Sequence, residues 1–166
     1  MTRKILTIAS ALLCVALVIF IFSNSLDNAE ESTEKSNVVY TAVNQVAKAL
    51  GFKAEISKAF IRQSAHFLEF AALGFSSALT LIFALAPDPR RALSPRLAFA
   101  GAALPFCALI ALIDEYIQTF SDGRVFDIAD IFTDTAGSCV GAIFTVSVYL
   151  LIRLIYKSRE KRALSN

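Results

Sequence analysis

The sequence has little charge, few glycines and prolines, and no tryptophan. Only 18% of its 166 residues are charged, the net charge is +2, and there are 6 glycines and 4 prolines. So small a net charge gives no general basic surface for nucleic acid. The sequence also lacks the phosphate-binding glycine loop, the Gly-x-Ser-x-Gly elbow and the His-Glu-x-x-His motif, so the usual signatures of soluble enzymes are missing.

The three cysteines show no spacing typical of disulfides or of a zinc site. Cys14, Cys107 and Cys139 each lie inside an apolar segment, and none belongs to a Cys-x-x-Cys pair. We therefore expect buried thiols rather than a disulfide or a zinc site.

Apolar residues are in excess. They make up 56% of the chain, which has a mean hydropathy of +0.61, against about 45–50% in a typical soluble domain. A helix needs about 20 largely apolar residues to cross a bilayer. Runs without any charge cover residues 5–22, 70–86, 97–113 and 135–152. They exclude a soluble globule, a disordered chain and a secreted disulfide scaffold. They predict an all-α integral membrane four-helix bundle, a single domain of residues 1–166 with spans at about 5–22, 65–86, 97–117 and 133–154.

Basic residues predict the orientation of these spans. Ten of the 16 lysines and arginines precede the first span, separate the second from the third, or follow the fourth. Because Lys and Arg near the spans stay in the cytoplasm, we expect a multi-pass protein of the cytoplasmic membrane with both termini inside. Cleavage of residues 1–25 as a signal peptide is the alternative, although 18 apolar residues is long for such a segment.

The connection between the first two spans predicts a short amphipathic helix that ends at Gly51 and lies on the outer membrane surface or caps the bundle. Ser57 is expected to cap a helix that continues unbroken into the second span. The apolar face of the short helix is formed by Val39, Val43, Val46 and Leu50.

Two features inside the spans predict how the helices pack. Pro105 should kink the third span. Gly137 and Gly141 form a small-x-x-x-small pair in the fourth. Close packing within the bundle is the favoured use of this pair, and a homo-oligomer through it is the alternative.

Ionisable residues gather where three predicted spans reach the outer interface. His66, the only histidine, shares a helical stripe with Arg62 and Glu69. A charged side chain at the bilayer centre costs about 2.5–3.5 kcal/mol, so these groups must be paired, protonated or bound to a cation. The other two groups are Asp114, Glu115 and Gln118 at the end of the third span, and Asp127, Asp130 and Asp134 at the start of the fourth.

Two interpretations of these groups stay open. Asp127 and Asp130 could cap a helix, and Asp114 with Gln118 could fix helix packing. A water-reached functional site is the favoured interpretation, since three helices contribute at one depth. Its candidate catalytic residues are His66, Glu69, Asp114, Glu115 and Asp130, and its candidate substrate-binding residues are Arg62, Gln118, Arg124, Asp127 and Asp134.

The chemistry of this site could be acid–base work or the binding of a divalent cation, because histidine with carboxylates suits both. The candidate metal ligands are His66, Glu69, Glu115 and Asp130. Arg124 lies in the short turn between the acidic groups. We expect it to fold back and hold one or two acids with its guanidinium fork.

Two segments resemble motifs of the VanZ-like family of bacterial membrane proteins. Residues 62–74 resemble its second-helix motif, and residues 114–137 resemble its second motif; residues 22–25 and 32–36 are also similar to the family's first-span exit. Gln63 stands where the family often has Lys, and Phe70 where it often has Tyr. The second motif is carried by Asp114, Glu115, Gln118, Gly123, Arg124, Asp130, Asp134 and Gly137.

The resemblance implies a four-helix membrane protein of the bacterial cell envelope, and it implies no particular reaction. The family's namesake is linked to low-level resistance to the glycopeptide teicoplanin. The first hypothesis is an outward-facing polar site that acts on or binds a membrane lipid head group or a lipid-linked envelope sugar. The second is a binding or shielding protein without turnover. A small transporter is third, because the inner halves of the spans carry no matching ionisable residues.

Overall fold

The computed structural model describes residues 2–53, 55–85, 98 and 100–165, and these residues contain helices but no strand. The prediction of an all-α protein is confirmed. Three of the helices contain a segment long and apolar enough to cross a membrane, which fits a membrane protein. These segments are Arg3–Ser25, Lys58–Leu85 and Ile128–Arg159. The helices are α1 (Thr2–Ser25), α2 (Ala29–Ala49), α3 (Lys58–Leu85), α4 (Ala103–Gln118) and α5 (Ile128–Ser165).

The predicted third span is described only in part. Its expected start at residue 97 lies outside the described residues, and α4 itself has 16 residues, fewer than the roughly 20 that a span needs. The four-span bundle therefore stays a prediction. Gly101 is helical, Ala102 forms a turn, and α4 begins at Ala103. Because Pro105 has no N–H to donate to the carbonyl of Gly101, the helix is interrupted at the place where a kink was expected.

Helices α3 and α5 approach each other through glycine. A Cβ atom on Gly137 would overlap the carbonyl of Phe67, and one on Gly141 would overlap the carbonyl of Ala71. Gly74 of α3 meets the backbone of Ser138 in the same way. Both Gly137 and Gly141 are buried in the single chain. Their predicted use in packing within the bundle is confirmed, and this close approach fixes how α3 and α5 are rotated toward each other.

An apolar core lies directly behind the polar end of the bundle. Phe70 and Leu73 of α3 pack there with Ile21 of α1 and with Cys107 and Ala111 of α4. All three cysteines are free thiols, but only Cys107 is buried; Cys14 and Cys139 are half-buried, in part against the prediction. This packing joins α1, α3 and α4.

Helix α2 is tied to the connection that follows it. Asn44 is buried, accepts a hydrogen bond from the Ile56 N–H at 2.8 Å and donates to the Ile56 carbonyl at 3.2 Å. Two residues of the predicted apolar stripe, Val46 and Leu50, are 60% and 72% exposed, whereas Val43 is half-buried. Both placements of this helix, on the membrane surface and as a cap on the bundle, therefore stay predictions.

The two ends of the bundle differ in chemistry. At one end, Arg3 donates to the carbonyls of Phe83 and Ala84 at 2.6 and 2.8 Å, where α3 ends. At the other, the Ser57 hydroxyl accepts from the Phe60 N–H at 3.2 Å, as predicted, and α3 then runs unbroken. The ends of α1 and α4 meet the beginnings of α3 and α5 at this second end, where the acidic groups lie.

Candidate functional site

His66 of α3 and Asp134 of α5 face each other at the centre of the site. His66 Nδ1 lies 3.6 Å from Asp134 Oδ1; the Asp134 side chain is 0% exposed and that of His66 16%. This separation exceeds a hydrogen-bond length. Among the described residues, His66 Nδ1 and both carboxylate oxygens of Asp134 have no hydrogen-bond partner. The polar atoms that these two side chains turn toward each other are therefore unsatisfied.

Asp114 completes this group from the end of α4. It is fully buried, accepts a hydrogen bond from the Ser25 hydroxyl of α1, and accepts another from Gln118 Nε2 at 3.0 Å. His66, Asp114 and Asp134 each offer one ligand atom, and these atoms lie within 4.8 Å of one another. Within the described part of the chain, these are the side chains that could share a metal ion, and only His66 belongs to the set of ligands predicted from the sequence.

Glu115 is not one of the described side chains grouped around His66, so its catalytic and metal-binding role stays a prediction. Its Oε2 accepts from the backbone N–H of Asp127 at 2.8 Å, and Asp127 Oδ1 in turn accepts from the N–H of Ala129 at 2.8 Å. Consecutive helical residues point roughly 100° apart, so only one of Asp114 and Glu115 can face the histidine. Glu115 and Asp127 instead fasten the beginning of α5, the helix-capping role that the structural interpretation gave to Asp127.

Glu69 and Asp130 each contact a residue outside the central group. Glu69 Oε1 accepts from Asn24 Nδ2 of α1 at 3.3 Å, and Glu69 lines the same cleft as His66. Asp130, whose side chain is 7% exposed, is 3.7 Å from Arg62 Nη2. Asp130 therefore neutralises an arginine at the rim and is not among the side chains that could share an ion with His66.

Arg124 folds back over the site, but its partner is not the predicted one. Its Nη1 donates to the backbone carbonyl of Asn24 at 3.3 Å. Within the described ranges, no carboxylate lies at ion-pair distance from Arg124. The last carbonyls of a helix lack intrahelical partners, which explains why the end of α1 attracts this guanidinium. Burial lowers the pKa of Arg124, and the positive charge of nearby Arg62 lowers that pKa further.

These groups surround a cleft between α1, α2, α3 and the connection from α4 to α5. The cleft has a volume of about 160 Å³, with His66, Glu69 and Asp114 among its lining residues and with Arg62 and Arg124 beside them. A second pocket of about 360 Å³ shares both arginines and is also lined by Asp127 and Asp130. Ser32 and Ser36 of α2 line both spaces. The arrangement places arginine and serine residues together with a buried histidine and acids.

Sequence reasoning gave no site role to the residues that α1 and α2 contribute. Asn24 and Ser25 hold Glu69 and Asp114, and Lys35 lines the cleft while paired with Asp27 at 2.5 Å. A signal was available, since Asn24 and Ser25 are polar residues in the last turn of an apolar helix. Their site partners lie far away along the chain, so the sequence alone could not name them.

Comparison with known proteins identifies the chain's relatives at the level of a family. A search among curated proteins and a search among solved structures each find no match. The family model described as VanZ/LLP1 matches residues 10–153. That segment includes every residue of the site described above and most of the chain, so the resemblance seen in the sequence is confirmed. The chain belongs to the VanZ/LLP1 family.

Proposed function

We propose that this chain is a multi-pass protein of the cytoplasmic membrane whose polar cleft opens outward and binds the phosphate-bearing head group of an envelope lipid or lipid-linked sugar. The observation that carries the proposal is the position of Arg62 and Arg124, which line the same two adjoining spaces together with Ser32 and Ser36.

The two arginines have the chemistry that a phosphate needs. A guanidinium stays charged and can bind two phosphate oxygens with parallel hydrogen bonds. Each guanidinium carries five N–H donors. Among the described residues, the Arg62 guanidinium has one ion-pair contact, at 3.7 Å to Asp130, and the Arg124 guanidinium donates one hydrogen bond, to the Asn24 carbonyl. Other donor positions of both side chains are therefore available, and an anion between two like charges would reduce their repulsion.

The position of the cleft, at the ends of the apolar helices, fits a lipid head group rather than an acyl chain. The cleft lies where α1 and α4 end and α3 begins, at the ends of apolar helices. The excess of basic residues in the other connections predicts that this end faces the exterior. Two apolar residues close in sequence to the cleft residues are exposed: Phe20 of α1 is 51% and Leu68 of α3 is 65% exposed. The helices that carry the polar site therefore also present apolar side chains on their outer surface.

A second candidate is turnover of the bound head group. The proximity of His66 to Asp134 and Glu69 favours this alternative, because such a set can exchange a proton with a reacting oxygen. A catalytic site should lose function in a single step, so His66→Ala should abolish it at normal membrane levels. A binding site should lose affinity gradually as its contacts are removed.

Lipids that copurify with the full-length protein test the proposal. The wild type should be enriched in one class of phosphate-bearing lipid or lipid-linked sugar relative to the bulk membrane. The double variant Arg62→Gln/Arg124→Gln should lose this enrichment, and the control Lys157→Gln at the far end of α5 should keep it. Equal lipid composition in all three preparations would contradict the proposal. Turnover would also change the head-group profile of cells, and His66→Ala would cancel that change.

The proposal extends to glycopeptide resistance. A protein that covers the head group of a lipid-linked sugar at the outer surface would shield that head group from teicoplanin. We expect cells without the gene to be inhibited by less teicoplanin, and the arginine double variant to fail to restore resistance. Identical inhibitory concentrations of teicoplanin with and without the gene would contradict a role in glycopeptide resistance.

A further inference from the structure

We propose that His66, Asp114 and Asp134 form a binding site for a first-row divalent cation, with Zn²⁺ as the reference ion. The ligand atoms are His66 Nδ1 and one carboxylate oxygen from each aspartate. The inference goes beyond head-group binding, because it rests on the buried groups beneath the arginines and is tested without any lipid.

The three ligand atoms lie close to the spacing that a shared ion requires. They come from α3, α4 and α5 and lie within 4.8 Å of one another. Zinc binds nitrogen and oxygen at about 2.0–2.2 Å, so ligands of one ion stand up to about 4 Å apart. Small rotations of the side chains would close the remaining distance. Catalytic zinc sites have three protein ligands and leave the fourth coordination position open for water or a substrate. The three side chains here would form the same arrangement.

The unsatisfied atoms of the central pair point to a missing partner. Asp134 is 0% exposed, yet neither of its oxygens has a hydrogen-bond partner among the described residues, and His66 Nδ1 has none either. A buried carboxylate in this condition is costly unless a positive charge lies against it. The histidine alone does not supply a hydrogen bond, since it stands 3.6 Å away. One cation would satisfy these atoms together.

Asp114 has the surroundings of a ligand held in place by its neighbours. Its two oxygens accept from the Ser25 hydroxyl and from Gln118 Nε2. Ligating carboxylates are commonly oriented by such outer hydrogen bonds, which leave a lone pair for the metal. His66 and Asp114 both line the outer cleft, so an ion can enter from that side.

The donor set selects the class of ion. One imidazole with two carboxylates suits Zn²⁺ among the first-row divalent ions. Ca²⁺ and Mg²⁺ prefer sites made entirely of oxygen. We therefore expect excess Ca²⁺ or Mg²⁺ to leave bound zinc in place.

Zinc stoichiometry of the full chain tests the site. Protein purified in detergent is stripped with a chelator, dialysed against zinc and measured by elemental mass spectrometry. The wild type should hold one zinc per chain, and Asp134→Asn and His66→Gln should lose it. Asp122→Asn in the exposed turn is the matched control and should keep it. Absence of zinc from the wild type, or equal zinc in Asp134→Asn, would overturn the proposal.

A milder variant keeps the test decisive if Asp134→Asn fails to fold. Ser25→Ala removes only the hydroxyl that positions Asp114, and it should weaken zinc binding about 10–100-fold. Cobalt in place of zinc should give a visible absorption band in the wild type, and Ser25→Ala should shift it. An unchanged band and affinity in a monodisperse Ser25→Ala protein would contradict the assignment. The Arg62→Gln/Arg124→Gln protein should still bind zinc, so failure of head-group binding is distinguishable from failure of this site.

Discussion

The carboxylate of Glu115 accepts the backbone N–H of Asp127 at 2.8 Å, across the turn between α4 and α5. Its sequence neighbour Asp114 faces His66 instead. Two adjacent acids thus have different roles, because successive helical side chains point in different directions. One acid fastens the turn that carries Arg124, and the other belongs to the polar group beneath it.

Removal of the Glu115 side chain should loosen this turn. Glu115→Ala leaves the Asp127 N–H without its acceptor, so we expect the free energy of unfolding to fall by about 1–3 kcal/mol. Glu115→Gln keeps a carbonyl acceptor and should cost less. Denaturant unfolding in detergent measures both, with Asp122→Ala in the same turn as the control. Equal stability of Glu115→Ala and the wild type would show that the hydrogen bond contributes nothing.

Gly141→Ala should disturb the α3–α5 contact. The new methyl group would overlap the Ala71 carbonyl, and neither backbone can yield as a flexible side chain would. Overpacking of this kind costs about 1–3 kcal/mol. Gly101→Ala is the control, since no described residue lies within 4 Å of its added Cβ, and it should be neutral or slightly stabilising. Thermal unfolding of the two proteins side by side tests the contact. Equal melting temperatures would mean that the close approach is not required.

Arg124→Lys should impair head-group binding although it keeps the charge. Lysine loses the planar fork, and with it the ability to contact the Asn24 carbonyl and a phosphate together. A hydrogen bond to a charged group is worth about 1.5–3 kcal/mol, so affinity should fall about 10–100-fold. Arg124→Gln should be weaker still. Wild-type affinity in both variants would show that Arg124 takes no part in binding.

The orientation of the spans predicts which compartment the C-terminus occupies. A reporter that is active only outside the cytoplasm should be inactive when fused after Asn166, because basic residues follow the last span. The same reporter inserted in the exposed turn at Asp122 should be active. Activity at Asn166 with inactivity at Asp122 would reverse the topology and turn the cleft toward the cytoplasm.

Much of the fold could be predicted from the sequence because its signals are local. Apolar runs predict helices, and spacings of three and four placed Arg62, His66 and Glu69 on one face. Which of Asp114 and Glu115 faces His66 could not be predicted locally, since it depends on how the packed helices are rotated. The hydrogen-bond donors to Glu69 and Asp114 could not be predicted either, because they lie far from their acceptors in the sequence. Asn24 lies 45 residues from Glu69, and Ser25 lies 89 residues from Asp114.

The most direct test of the central claim compares two ligands that differ only in a phosphate. Farnesyl phosphate and farnesol share one apolar chain, so their binding to the full-length protein in detergent isolates the contribution of the head group. We predict that the wild type binds farnesyl phosphate at least about tenfold more tightly, as expected for charge-assisted hydrogen bonds. Arg62→Gln/Arg124→Gln should bind both ligands alike. Equal affinity of the wild type for farnesyl phosphate and farnesol would contradict the account.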